Sequence, residues 1–144
     1  MSRVELRIYA AVALVAIALS PAAIRWSLPN SAWLTVRGMA IGDTRAGQPV
    51  IVSVDRTIHR PFRARWIVTV RRVSPEGLLT HCIGRGENDY SPAATLPQPM
   101  TLKYWSGVEC EMPAGQYRVD TLWTIEDWAG DREVRVMSNV FRVE

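Results

Sequence analysis

The chain has 144 residues, a net charge of +3 and 48% hydrophobic side chains, enough apolar material for one core of ordinary domain size. Three of its 17 basic residues and one of its 14 acidic residues fall within the first 25 positions, so the rest is within one charge of neutral. That balance excludes the strongly basic surface a nucleic-acid partner requires.

The chain opens with Arg3 and Arg7, followed by an uncharged run over residues 8–24 (IYAAVALVAIALSPAAI). A cationic start before an apolar run directs export and keeps the positive end in the cytoplasm. Residues 1–25 are therefore expected to form a signal peptide or a signal-anchor helix. The rest of the chain then lies outside the cytoplasm, held at the inner membrane, or periplasmic or secreted if the leader is cut. Two features pull in opposite directions. Residues 8–19 have signal-peptide length, and Ser20-Pro21-Ala22 suits cleavage after Ala22. The whole uncharged run, at about 1.5 Å per residue, reaches roughly 26 Å, the short limit for a membrane span. Tyr9 and Trp26 bracket it where interfacial aromatics sit. No Cys follows the run to take a lipid.

Residues 26–32 (WSLPNSA) read as a linker, and residues 33–144 as one all-β domain in which period-2 alternation dominates. Strands are expected over 33–41 and 49–58, the second with Val50, Val52 and Val54 on one face. The clearest strand covers 62–73. Phe62, Ala64, Trp66, Val68 and Val70 share one side, and Arg63, Arg65, Thr69 and Arg71 the other, the pattern of a sheet with one wet face. Ser74-Pro75-Glu76-Gly77 is a turn before a short strand over 78–83. Residues 84–99 (GRGENDYSPAATLPQP) read as a long surface loop with room for an edge strand, and 100–105 as a further strand. A strand over 116–126 places Tyr117, Val119, Thr121, Trp123 and Ile125 on one face. Residues 127–131 (DWAGD) form a hairpin tip, and the last strand, 132–143, changes phase at a bulge near Ser138-Asn139.

About seven strands at turn intervals near ten residues are the signature of an antiparallel sandwich. Two local features make the domain resemble an immunoglobulin or fibronectin type III-like sandwich. Trp66 occupies an early central strand, as the core Trp of such folds does. Pro113-Ala114-Gly115-Gln116-Tyr117 is similar to the turn-and-Tyr entry into the penultimate strand. The resemblance implies a Tyr117 hydroxyl tied back to the preceding connection, and Trp66, Tyr117 and Trp123 in the structural core. The sequence departs from the antibody pattern in that Cys82 and Cys110 both follow the Trp. Short anchored proteins of this look also occur among bacterial and phage-encoded envelope proteins.

In an exported chain Cys82 and Cys110 are expected to form a structural disulfide around residues 83–109. A thiol nucleophile at Cys82 beside His81 is disfavoured, because adjacent strand residues point to opposite faces. His59, His81, Cys82 and Cys110 lack the close paired spacing of a zinc site, so no metal is expected.

Two groups are candidate binding residues. Arg63, Arg65 and Arg71 on one strand face form either an anion-binding surface or a solvated face balanced by Asp120 and Glu126. Asp127, Trp128 and Asp131 put an aromatic anchor between carboxylates on a hairpin tip, either for recognition or with the Trp folded back over the sheet edge. The carboxylate spacing there matches no established calcium loop. No nucleophile elbow, phosphate loop, zincin motif or dinucleotide fingerprint is present, so no catalytic residue and no cofactor is expected. The expected function is a non-enzymatic binding or structural module of the cell envelope. It would contact the membrane through residues 8–24, and a protein or glycan through loop tips near Trp128 and residues 84–99. The competing expectations are a small periplasmic hydrolase with a nonlocal active site, and a phage or prophage envelope accessory such as an exclusion or lysis factor.

Overall fold

The computed structural model describes residues 3–144. It is mostly β, with two sheets and one N-terminal apolar helix. Helix α1 runs Arg3–Ser27 with Pro21 inside it. Proline has no N–H, which frees the carbonyl four residues back, that of Ile17. The Ser20 hydroxyl donates to that carbonyl at 2.9 Å, the kind of local repair that lets proline stand in an apolar helix. Val4–Ser27 is long and apolar enough to cross a membrane, with mean hydropathy 1.9 over its most apolar 18-residue window and no residue of that window buried. The expected linker is shorter than its composition suggests, because α1 continues through Trp26 and Ser27 and a single 3-10 turn follows at Asn30–Ala32.

Eight strands follow: β1 (Leu34–Ile41), β2 (Ile51–Ile58), β3 (Phe62–Ser74), β4 (Gly77–Tyr90), β5 (Met100–Thr101), β6 (Gly115–Glu126), β7 (Arg132–Met137) and β8 (Phe141–Val143). One sheet has the order β1-β2-β5, the other β4-β3-β6-β7 with β8 also on β6. All strand pairs are antiparallel, and the two sheets fit a sandwich. Their facing sides share one core, with Leu34, Val52, Val68, Val70, Val119, Ile125 and Phe141 buried.

Two expectations are corrected. The loop expected over residues 84–99 begins only after Tyr90, and the edge strand it left room for is the second half of β4, which pairs with β3 over its whole length, from Gly77 opposite Ser74 to Tyr90 opposite Phe62. Its glycines answer to packing rather than to a turn. A Cβ at Gly84 would lie 1.7 Å from the Ser106 carbonyl oxygen, and one at Gly86 would lie 2.5 Å from Cζ2 of Trp66. The strand expected over 100–105 stops after Thr101. There the Thr101 hydroxyl accepts from the Tyr104 N–H and caps a short helix α2 (Leu102–Ser106), which Gly107 ends in the left-handed conformation. The helical turn lets both Leu102 and Trp105 reach the core.

The two long sides of the domain differ. On one, β1 approaches β7, and the Asn139 side chain accepts from the Ile41 N–H at 2.8 Å and donates to the Ile41 carbonyl at 2.9 Å. This clasp sits at the interruption between β7 and β8, where the bulge was expected. On the other side β5 has only two residues, so the first sheet leaves part of β3 and β4 uncovered. There α2 and the segment 107–114 fill in, and Cys82 of β4 and Cys110 of that segment lie at disulfide distance, with Cα atoms 6.3 Å apart.

Candidate functional site

The structure keeps the residues singled out in the sequence in three places. Arg63, Arg65 and Arg71 do share the outward face of β3, each with acidic partners. Arg63 pairs with Glu87 of β4, and Arg65 with Glu126 at 3.5 Å and Asp131 at 3.0 Å. Arg71 lies 3.7 Å from Asp120, which also takes Arg135. The Glu87 carboxylate holds the Arg63 guanidinium above its ordinary range, as Asp120 does Arg135. The face is balanced in charge.

Asp127, Trp128 and Asp131 form the β6–β7 tip, and the tip stands against the end of α1. The Asp127 side chain is only 1% exposed, and its carboxylate accepts from Nε of Arg25 in the last helical turn at 2.6 Å. Arg132 lies 3.6 Å from the other Asp127 oxygen. Its guanidinium donates to the carbonyls of Arg25, in the last turn of α1, and Leu28, just beyond it, where the helix dipole favours a cation. Beneath them the buried ring of Trp33 carries three guanidinium groups, those of Arg132 at 4.3 Å, Arg25 at 5.4 Å and Arg60 at 5.8 Å. Trp128 itself is 65% exposed and does not fold back over the sheet edge.

The core residues divide. Tyr117 and Trp123 are fully buried, and the Tyr117 hydroxyl donates to the Pro113 carbonyl at 2.7 Å. Trp66 is only half-buried and lines a cleft on the open side of the domain.

Sequence reasoning missed that open side, which holds two concavities. The nearer to α1 is a cleft of about 250 Å³ walled by Trp66, Tyr90, Tyr104, Trp105 and Trp123, with Arg56 reaching in from β2. The Arg56 guanidinium lies 5.5 Å from the Tyr90 ring and 5.8 Å from that of Trp105. Burial lowers its pKa from the ordinary value. The farther is a cavity of about 880 Å³ between the β1–β2 connection, α2 and the Cys110 segment. Two of its polar side chains are paired locally: Lys103 binds Glu109 at 2.9 Å, and Nε2 of His81 donates to the Glu111 carbonyl at 2.6 Å. His59, elsewhere, sits 2.9 Å from the Thr35 hydroxyl. Among the described residues no group of His, Cys, Asp and Glu is placed to hold a metal ion. Alternation along β2 put Arg56 on the inward face, which is the one signal that could have found the cleft. No family model, no curated protein and no solved structure matches this chain.

Proposed function

We propose that this protein is a non-enzymatic, membrane-anchored binding module of the cell envelope, an Ig-like domain held outside the cytoplasm by a retained α1. The observation that carries the reading is the Arg25–Asp127–Arg132 network. A buried carboxylate and a buried guanidinium of the domain hold the last turn of the helix, so a retained span would be joined to the domain directly and not through a loose tether. Two further features support an Ig-like domain. The first, second and fifth strands share one sheet and the third, sixth and seventh the other, as in immunoglobulin sandwiches, and the Tyr117–Pro113 bond follows the tyrosine corner of that fold.

With the β6–β7 tip against the helix, the face left for a soluble protein or glycan partner is the open side. Its aromatic cleft supplies flat apolar walls and one cation, a setting for few, well-placed polar contacts. Fractionation with N-terminal sequencing tests the reading. The expected product keeps residues 1–25 and stays in the membrane pellet through alkaline extraction. A soluble product beginning at Ala23 would overturn it.

A further inference from the structure

The indoles of Trp26 and Trp128 are 74% and 65% exposed, and they stand at the same end of the molecule. A side chain at Gly130, in the same tip as Trp128, would meet the Trp26 ring at 4.0 Å. The Arg25 guanidinium lies 5.8 Å from the Trp128 ring while its Nε is held by Asp127. The network beneath is buried, with the Arg132 side chain 8% exposed. Tip and helix end therefore form one unit, and the depth of Trp26 in a bilayer sets that of Trp128. Interfacial Trp sits at the headgroup level, its apolar ring inward and its N–H toward water.

We propose that the β6–β7 tip is a second membrane contact, with Trp128 seated in the lipid headgroup layer beside Trp26. One cation at this end is available to the same partner, while the tip's exposed carboxylates Glu126 and Asp131 are paired with Arg65. Arg60 stacks on Trp33 at this end, with no carboxylate within ion-pair distance among the described residues, and lipid phosphates are anionic. The domain would then lie against the bilayer at a fixed angle, presenting its open side along the membrane. This inference rests on the retained anchor proposed above.

The test uses the full chain in vesicles of phosphatidylethanolamine and phosphatidylglycerol whose acyl chains are brominated near the carbonyl. Tryptophan emission is compared for the unaltered protein, Trp26→Phe and Trp128→Phe, and the differences isolate each indole. The expected result is loss of most of the emission assigned to both Trp26 and Trp128, with the buried Trp33 and Trp123 unquenched. Quenching of Trp26 alone would place the tip off the membrane and overturn the inference while leaving the anchor intact. Quenching of neither would remove the anchor, and this inference with it.

Discussion

Glycine shows how the same residue can carry opposite messages. Gly84 and Gly86 stand in the middle of the longest strand, opposite Val68 and Trp66 of β3. In the sequence they sit among Asn, Ser and Pro and look like loop; in the fold they are places where other groups come too close for a Cβ. At Gly84 the obstacle is backbone, the Ser106 carbonyl, and at Gly86 it is the half-buried Trp66 ring. Gly84→Ala should therefore destabilise the protein by about 2 kcal/mol or more through overpacking. Gly86→Ala should cost less, because the ring can swing into the cleft. Denaturant midpoints of the two variants check the order; equal midpoints would mean that α2 yields as readily as an indole. The acidic tip was legible only by half. Asp127, Trp128 and Asp131 stand out in the sequence, but Arg25 is 102 positions from Asp127, and no local pattern reports a contact that distant.

Strands with one wet face declared themselves through alternation, which is why the bounds of β1, β3 and β6 lie close to those read from the sequence. The short elements did not. A run such as Met100-Thr101-Leu102-Lys103-Tyr104-Trp105 alternates well enough for a strand, and only the capping hydroxyl of Thr101 and the Gly107 stop mark it as a helical turn. This part of the chain, between β4 and β6, has little sheet of its own, and the Cys82–Cys110 pair ties its end to β4. Mass spectrometry of the protein isolated without reductant should find the two cysteines linked. Replacing both with serine should then lower stability on the order of 3 kcal/mol, since the enclosed loop regains its freedom in the unfolded chain. Hydrogen exchange locates the effect: protection should fall first in α2 and residues 107–112, with β3 and β6 unchanged. Uniform loss across both sheets would contradict a local staple.

At the level of the whole molecule the question is whether helix and domain are two parts on a tether or one body. The composition of residues 26–32 favours a tether. The buried groups favour one body, because the Asp127 side chain meets Arg25 of α1 as well as Arg132, and Arg132, packed on Trp33, also donates to the Arg25 carbonyl. Removing residues 1–27 would leave Asp127 with Arg132 alone and take away the helix end that covers them. Breaking a buried pair by removing one partner costs about 3–5 kcal/mol; with water admitted to the uncovered site the loss should be smaller, and it should concentrate where the pair sits. In the shortened chain, amide exchange should accelerate at residues 126–132, which form the tip, while β3, β4 and the first half of β6 keep the protection they have in the full chain. Unchanged exchange at the tip would show that the domain holds that geometry without its helix. In that case the sheets would be indifferent to the membrane, and the angle at which the open side meets a partner would be set by nothing in the fold.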